Sequence, residues 1–376
     1  MVSPDSGKQT ILVKLDLGNT ELKYSPGDHL SVIPKNSPQI VTEMASLLNV
    51  DLNDSFTLNG SGKTSSYPID CSIGSALYSY IDFALHHYNR RQLVTLLQYL
   101  IQNTQLRKEK RSLLRFYLSI QHHTKGASVQ QYLLNKYVTI LDILKHYKST
   151  ITFEQLLTIS PIMKPRFYSI ASSLSVHQKE VHLCVSVVNE VHTNGLLIEG
   201  VCSNFLSRCN KGDLVQAQVH PTCFKLKQNN PIIMVGAGSG IAPFRGFWEE
   251  ANSNGHDKPL VLYFGCRNEQ DFLFQGEIKA LSLDIQVHNA FSRRPGLPKT
   301  YVQDKIYETF GGPWELILEG AGYLYICGDA KMAQGVMEAL RKRLQRERKW
   351  DVEQAKNYLD TLENNGFILQ DVWGHT

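Results

Sequence analysis

The part of the chain that most restricts its fold begins after Pro231, where short apolar runs alternate with helical or loop segments. These runs cover residues 232–235, 259–264, 285–291 and 323–327. Largely apolar runs of this length are typical of strands buried on both faces, and their alternation with helices is typical of a parallel, doubly wound sheet. We therefore expect an α/β domain in the C-terminal part of the chain.

A glycine-rich turn, residues 236–240, follows the first of these runs and leads into Ala242-Pro243. Glycine permits close approach of the backbone to a ligand, and a helix N-terminus offers N–H groups and partial positive charge to a pyrophosphate. The spacing departs from the usual G-x-G-x-x-G, so the turn alone also fits a purely structural role. Its surroundings favour dinucleotide binding.

Basic and polar side chains follow the next strands of this predicted sheet. Because ligands of such sheets lie outside the carboxyl ends of the strands, a hydroxyl, arginines and a lysine gathered there suit a 2′-phosphate, which selects NADPH over NADH. Tyr301 is a candidate for stacking on adenine, and Cys327 ends the last run near the expected nicotinamide. The predicted NADPH-binding residues are Gly238, Ser239, Gly240, Arg267, Ser292, Arg293, Lys299, Tyr301, Gln303 and Asp329.

The N-terminal part of the chain has a different pattern. Residues 11–17 alternate apolar and polar side chains, and a turn at 24–28 leads into a second apolar run, 30–33, as in an antiparallel β-domain. Strand patterns return between 166 and 226. In between, apolar residues recur at helical spacing and predict a helical insert: Leu77, Ile81, Leu85 and Tyr88; Leu93, Leu97 and Leu100; Leu133, Tyr137, Ile140 and Leu144.

Two segments of the β-region, 166–173 and 200–206, have the composition of a flavin site. Arg166 can neutralise a diphosphate, Tyr168 can cover an isoalloxazine face, and Ser169 can form a hydrogen bond near flavin N5. The residues from Gly200 to Ser203 can supply backbone donors. No metal site is predicted, because the pairs at 86–87 and 122–123 are adjacent histidines, which point apart on a helix.

Composition excludes several classes of protein. The formal charge of +4 is weak and does not indicate nucleic-acid binding. No apolar run approaches the roughly 20 residues that span a bilayer, and the N-terminus has no apolar signal core. The seven cysteines form no C-x-x-C pair. We interpret them as reduced thiols and predict a cytoplasmic protein.

Taken in their order along the chain, the motifs resemble those of the ferredoxin–NADP⁺ reductase superfamily. The helical insert narrows the resemblance to the diflavin reductases. PGDHLSVIP, GVCSNFL and CGDAKMA look like the reductase half of nitric oxide synthase, whereas Asp371-Val372-Trp373 looks like the end of NADPH–hemoprotein reductase. The resemblance implies an antiparallel FAD-binding β-barrel (1–59 and 151–228) interrupted by a helical connecting insert (60–150). A doubly wound parallel-sheet NADP-binding domain (229–376) follows.

The resemblance also implies a function, an NADPH-dependent flavoprotein reductase that transfers hydride from NADPH to FAD. Ser169, Cys327 and Asp371 correspond to the family's hydride-transfer set, and Trp373 to the aromatic residue that covers the flavin. The full set predicted to bind FAD is Arg166, Tyr168, Ser169, Cys184, Gly200, Val201, Cys202, Ser203 and Trp373.

Electrons would pass onward to FMN on a flavodoxin-like domain, in cis or in trans, and then to a heme protein or domain. Which acceptor is used stays open. Glu190 stands where relatives commonly place an aromatic residue that stacks on the FAD adenine. The alternative function is therefore a noncatalytic or truncated fragment of such a reductase that acts as an interaction module.

Overall fold

The structure, a computed structural model, describes residues 9–58, 70–121, 136–191, 195, 197–309 and 311–374. The chain forms two compact units. The first comprises Met1–Ser31, Phe167–Val187 and Ala217–Thr376, and the second comprises Val32–Arg166 and Val188–Gln216. The four-part division expected from the sequence stays a prediction.

Among the described residues the strands are β1 (Gln9–Asp16), β2 (His29–Val32), β3 (Ser55–Thr57), β4 (Asp70–Ser72), β5 (Arg166–Ser169), β6 (Glu180–Val187), β7 (Asn189–Val191), β8 (Leu197–Glu199), β9 (Ala217–His220), β10 (Ile232–Ala237), β11 (Leu260–Cys266), β12 (Ile285–Phe291), β13 (Tyr323–Asp329) and β14 (Ile368–Trp373). The α-helices are α1 (Pro38–Leu48), α2 (Ile73–Ser75), α3 (Arg90–Asn103), α4 (Arg107–Gln121), α5 (Ile140–His146), α6 (Phe153–Ile159), α7 (Val201–Arg208), α8 (Ala242–Ser253), α9 (Gln275–Ala280), α10 (Val302–Glu308), α11 (Pro313–Leu318), α12 (Ala330–Arg348) and α13 (Val352–Asn364). A π turn spans Ala76–Tyr80, and 3₁₀ turns span Leu85–His87, Gly238–Ile241 and Glu269–Asp271.

A five-stranded parallel sheet lies in the C-terminal part of the first unit, in the order β12-β11-β10-β13-β14. The chain steps outward from β10 to β11 and β12, and then continues on the other side of β10 as β13 and β14. The strand order therefore reverses between β10 and β13, which is where sheets of this kind bind their ligands. The parallel sheet predicted from the apolar runs is confirmed.

Both faces of this sheet are buried. Ile232 and Met234 of β10 belong to one apolar core together with Phe244 and Trp248 of α8. The intervening Ile233 and Val235 belong to a second core with side chains of α12 and α13, among them Val336 and Leu359. Because successive residues of a strand point to opposite faces, only a run that is apolar throughout can serve both cores.

The first unit also contains the antiparallel pair β1-β6 and the three-stranded sheet β5-β2-β9. Within the stretch from 166 to 226, where strand patterns return in the sequence, Ala217–His220 forms β9. These strands are where the sequence predicts the FAD-binding barrel. Closure of a barrel stays a prediction.

The second unit is mainly helical and has its own apolar core. Leu93, Leu97 and Leu100 line the buried face of α3, as predicted, and the helix begins at a capping box formed by Asn89 and Gln92. Glu190 lies on β7, which pairs with β8. No helix in the described part of the chain is both long enough and apolar enough to cross a membrane.

The predicted helix through Leu77, Ile81, Leu85 and Tyr88 is wrong. All four side chains are buried, but the backbone forms a π turn and then a 3₁₀ turn. Between these turns, Ile81 and Ala84 form isolated bridges with Ile162 and Thr139. The helical spacing of these four apolar residues thus reflected their burial and not a continuous helix. Of the third predicted set, Ile140 and Leu144 lie in α5 and Tyr137 precedes it, while Leu133 falls outside the described residues, as do His122 and His123.

Candidate active site

Three side chains of the first unit converge on one carboxylate oxygen, Oδ2 of Asp371. Asp371 lies on β14 opposite Cys327 of β13. The hydroxyl of Ser169, the last residue of β5, donates a hydrogen bond to this oxygen at 2.7 Å. His29 Nε2, at the start of β2, lies 3.0 Å from it, and the thiol of Cys327 donates to it at 3.8 Å. The structure therefore brings the predicted Ser169, Cys327 and Asp371 together.

The local charges favour an ionised Asp371. Burial opposes ionisation, but the hydrogen bonds from His29 and Ser169 outweigh it and hold the pKa of Asp371 below its ordinary value. The hydrogen bond to Asp371 in turn raises the pKa of His29. Burial raises the pKa of the Cys327 thiol, which keeps it neutral and able to donate. The cluster is a negative carboxylate held by one imidazole and two neutral donors.

His29 is the member of this cluster that the sequence did not reveal. It stands in the PGDHL motif, which carried the family resemblance but gave no role to the histidine. Its partner lies 342 residues further along the chain, so no local pattern joins the two. The available signal was a histidine placed directly after a turn, at the start of a strand.

Trp373 ends β14 and lies opposite Asp329 of β13 in the parallel register. Its side chain is 45% exposed. Asp329 caps α12 by accepting a hydrogen bond from the backbone of Lys331 at 2.8 Å. Both residues therefore lie at the carboxyl edge of the sheet, on the two strands that carry Cys327 and Asp371. The roles of Trp373 and Asp329 in binding stay predictions.

The glycine-rich turn occupies the position where the strand order reverses. Residues Gly238–Ile241 form a 3₁₀ turn between β10 and α8. A Cβ atom added at Gly240 would lie 2.2 Å from the carbonyl oxygen of Cys327, so only glycine fits against β13. Gly238 has a φ of +54°, a conformation that side chains disfavour. This strand–turn–helix geometry is of the kind that offers backbone N–H groups to a pyrophosphate. The binding roles of Gly238, Ser239 and Gly240 stay predictions.

The predicted basic residues differ in how they are held. Arg267, directly after β11, donates through Nε to Asp271 at 2.6 Å. Arg294 forms an ion pair with Glu269 at 2.8 Å. In the part of the chain that the structure describes, no hydrogen bond or ion pair engages the exposed side chains of Arg293 and Lys299. Those two cations are therefore available to an anionic ligand.

Three further predicted NADPH-binding residues lie near the same edge. The Ser292 hydroxyl donates to the carbonyl oxygen of Cys266 at 3.3 Å, which joins the ends of β12 and β11. Tyr301 is 48% exposed and precedes α10. Gln303, in α10, lies against Gly335, where an added Cβ would be 3.2 Å from its Cδ. The structure places Tyr301 on the surface, where stacking on a base is sterically open.

The residues predicted to bind FAD fall in both units. In the first unit, Tyr168 is partly exposed on β5, and Cys184 is buried on β6, where burial raises its pKa to about 12. In the second unit, Arg166 donates to the Lys164 carbonyl at 2.5 Å and lies 3.9 Å from the carboxylate of Asp82. The Lys164 carbonyl and the Asp82 carboxylate thus hold Arg166 in place within its own unit.

Gly200 is the N-cap of α7 in the second unit, and Val201, Cys202 and Ser203 are the first residues of this helix. The Ser203 hydroxyl donates to the Gly200 carbonyl at 3.1 Å and accepts from the backbone of Val188 at 3.1 Å. A Cβ at Gly200 would lie 2.9 Å from Val188 Cβ, so a side chain there would displace the helix start. The geometry suits backbone donors at a helix N-terminus.

A second titratable cluster in the first unit has the composition of a metal site. Ligand atoms of His177, Glu180 and His182 lie within 4.8 Å of one another. However, Arg245 donates to His182 Nδ1 at 3.0 Å, so Nε2 must carry the proton that it shares with Glu180 at 2.7 Å. That proton occupies the lone pair that a metal would need. We interpret the cluster as an ion-pair network, in which Arg245 also contacts Glu249 at 2.9 Å.

Comparison with known proteins agrees with this geometry. Residues 1–205 match the family model described as FAD binding domain, and residues 234–338 match the one described as oxidoreductase NAD-binding domain. The first match covers more than half of the chain. The chain belongs to this FAD-binding family. The second match contains the glycine-rich turn, Arg293 and Cys327.

This FAD-binding oxidoreductase is similar to three curated relatives over 99% of its length. It is 32% identical to the bifunctional cytochrome P450/NADPH–P450 reductase 1 of Bacillus subtilis and 35% identical to the bifunctional cytochrome P450/NADPH–P450 reductase of Bacillus cereus, and it covers 35% of each. It is 32% identical to the inducible nitric oxide synthase of Homo sapiens and covers 33% of it. The chain therefore spans about a third of the length of these relatives.

Proposed function

We propose that this FAD-binding oxidoreductase takes a hydride from NADPH onto FAD and passes electrons one at a time to a flavodoxin-like FMN domain. The observation that carries the proposal is the convergence of Ser169, Cys327 and His29 on Asp371, beside the glycine-rich turn of the nicotinamide-dinucleotide domain. Two of the relatives are named as NADPH–P450 reductases, which supports NADPH as the donor.

The residues of the sheet edge fit a phosphorylated dinucleotide. The turn at Gly238–Ile241 has the tight backbone that a pyrophosphate requires, because Gly240 leaves no room for a side chain. Arg293 and Lys299 are exposed and carry positive charge that no other described side chain takes up. A 2′-phosphate would pair with them, and Tyr301 would stack on the adenine.

FAD, when bound, supplies the atom that accepts the hydride and stores its two electrons. The residues proposed to hold it are Arg166, Tyr168, Ser169, Cys184, Gly200, Val201, Cys202, Ser203 and Trp373. Of these, Arg166 would neutralise the diphosphate, and Gly200 to Ser203 would supply backbone donors. Trp373, exposed at the end of β14, would cover the flavin and move aside for the nicotinamide.

The cluster around Asp371 would act by orientation and charge. Hydride transfer leaves positive charge on the nicotinamide ring, and a fixed carboxylate nearby stabilises that charge. The Ser169 hydroxyl and the Cys327 thiol are neutral donors that hold the carboxylate in place. Because alignment of the two rings limits the rate, small displacements of these side chains should slow the reaction strongly.

The test is reconstitution of the full chain with FAD, followed by anaerobic addition of either nicotinamide nucleotide. We expect a flavin absorbance spectrum that NADPH bleaches much faster than NADH does. A chain that binds no FAD after reconstitution, or that keeps its colour with NADPH, would contradict the proposal. That outcome would favour the noncatalytic interaction module, for which Glu190 is the motivating residue.

The wider setting is part of the same proposal. We propose that β1, β2, β5, β6 and β9 belong to the FAD-binding barrel (1–59 and 151–228), that 60–150 is the connecting insert, and that 229–376 binds NADPH. An FMN domain, in cis or in trans, would pass electrons to a heme protein or domain, since the relatives include cytochrome P450 fusions by name. The cytoplasmic location stays a prediction.

A further inference from the structure

His29 lies in a position to control the carboxylate on which the proposed hydride step depends. Its Nε2 is 3.0 Å from Asp371 Oδ2, and the two side chains are 26% and 13% exposed. The same oxygen accepts from Ser169 and Cys327, and both of those donors are uncharged. Among the described residues that bond to Asp371, His29 is therefore the one that can carry a positive charge.

The other charged groups around His29 balance each other. Asp28 precedes it on the chain and forms an ion pair with Lys225. Asp28 also accepts hydrogen bonds from the backbones of Ser25 and Thr222. From β13 the facing group is Cys327, which burial keeps as a neutral thiol, and from β5 it is the hydroxyl of Ser169. The negative group with which a charged His29 pairs is therefore the carboxylate of Asp371, on β14.

We propose that His29 is a positioning residue for the hydride step, which in its protonated form fixes the Asp371 carboxylate and so makes the step sensitive to pH. This inference rests on the proposed function. A charge-assisted hydrogen bond is stronger than one from a neutral imidazole, so deprotonation of His29 loosens Asp371 without breaking the contact. The rate should accordingly fall as the pH rises through the titration of His29.

The first measurement needs no cofactor. The full chain with isotope-labelled histidine is titrated by NMR, as wild type and as Asp371→Asn. We expect His29 to titrate at a higher pH in the wild type than in the variant, by about one pH unit, because the variant removes the negative partner. Equal titration curves would overturn the pairing, whatever the catalytic activity of the chain.

The second measurement is the pH profile of kcat with NADPH, for wild type and His29→Gln. Glutamine keeps an N–H donor but cannot be charged. We expect the wild-type kcat to fall about fivefold across the His29 titration, and the variant to stay at the lower value at every pH with an unchanged KM for NADPH. His220→Gln is the matched control, since His220 bonds to Ser31 rather than to Asp371, and it should keep the wild-type profile.

The possible outcomes separate the two proposals. If wild type fails to bind FAD or to react with NADPH, the proposed function fails, while the NMR titration still decides whether His29 and Asp371 are coupled. If the wild type is active and His29→Gln keeps the wild-type pH profile, the role of His29 is wrong and the proposed function stands. If His29→Gln does not fold, as judged by circular dichroism, the Asp371→Asn titration decides the pairing, and a wild-type kcat that does not fall across the pH range in which His29 titrates overturns its role.

Discussion

Arg293 and Arg294 follow the same strand, but only Arg294 has a partner among the described side chains. Arg294 pairs with Glu269 at 2.8 Å, whereas the exposed Arg293 is available to a phosphate. We expect Arg293→Ala to raise KM for NADPH about tenfold or more, because a charge-assisted hydrogen bond to a phosphate contributes about 1.5–3 kcal/mol. KM for NADH should hardly change, and steady-state kinetics with both nucleotides measures the difference.

Arg294→Ala is the matched control for this prediction, because it removes an equal charge from the adjacent position. It should leave the ratio of the two KM values close to that of the wild type. Equal losses for NADPH and NADH in Arg293→Ala would show that Arg293 does not contact the 2′-phosphate. An effect confined to Arg294→Ala would reverse the assignment of the two residues.

Gly240 offers a test of how tightly the glycine-rich turn is packed. A Cβ at this position would lie 2.2 Å from the carbonyl oxygen of Cys327, and backbone atoms can yield only if the turn moves away from β13. We expect Gly240→Ala to lower the free energy of unfolding by about 3 kcal/mol and to weaken nucleotide binding. Urea denaturation followed by circular dichroism measures the first effect.

The control for this substitution is Gly276→Ala, in α9, where an added Cβ meets nothing within 4 Å. Because alanine favours helix more than glycine does, this variant should be as stable as the wild type or more stable by up to about 1 kcal/mol. If Gly240→Ala were equally harmless, the close approach of the turn to β13 would be refuted.

The residues of the candidate site differ in how far the sequence revealed them. Ser169, Cys327 and Asp371 each lie in a motif of ordered residues, so their convergence followed from the resemblance. His29 did not, because its importance comes from a partner brought near by folding rather than by sequence. The sequence also could not show that an ion pair engages Arg267 while no described side chain engages Arg293. In the sequence, both are simply basic residues that follow a predicted strand.

At the scale of elements, β6 and α8 share a buried network with a predictable response to acid. His182 of β6 is fully buried beside Arg245 of α8, and burial lowers its pKa to about 4. The unfolded chain would bind a proton at this histidine below pH of about 6.5, whereas the folded chain would not until near pH 4. Stability should therefore fall as the pH drops through this range, by about 3 kcal/mol in all.

The measurement is the free energy of unfolding against pH, for wild type and His182→Gln. Glutamine cannot be protonated here, so the variant should be less stable than wild type at pH 7 but should lose less on going to acid. The difference in the free energy of unfolding between wild type and variant should shrink as the pH falls below about 6.5. Parallel curves would show that His182 does not govern the acid response of this element pair.

The elements also show where pattern reading succeeds. Four of the five strands of the parallel sheet, β10 to β13, were predicted from apolar runs, which are typical of strands buried on both faces. The fifth strand, β14, was not among those runs, and it is partly exposed at its end. The run from Leu77 to Tyr88 failed because buried residues in an irregular segment can recur at the spacing of a helix. There the backbone is set by bridges to Ile162 and Thr139, which are remote in sequence.

At the scale of the whole molecule, the question is what accepts electrons from this chain. It spans about a third of the length of its curated relatives, 35% of each of the two named as bifunctional cytochrome P450/NADPH–P450 reductases. If the proposed function holds, the chain with FAD should reduce a small acceptor such as ferricyanide with NADPH. It should reduce cytochrome c slowly, because a heme enclosed in protein needs a dedicated electron carrier.

Addition of a separately purified flavodoxin-like FMN protein should therefore raise the rate of cytochrome c reduction about tenfold or more, while ferricyanide reduction stays the same. Asp371→Asn should lower both rates together, since it acts before the electrons leave FAD. Rapid cytochrome c reduction without the FMN protein would instead mean that the chain delivers electrons directly. A rate that the FMN protein and NADPH reach equally in the absence of the chain would exclude the chain as the source of those electrons.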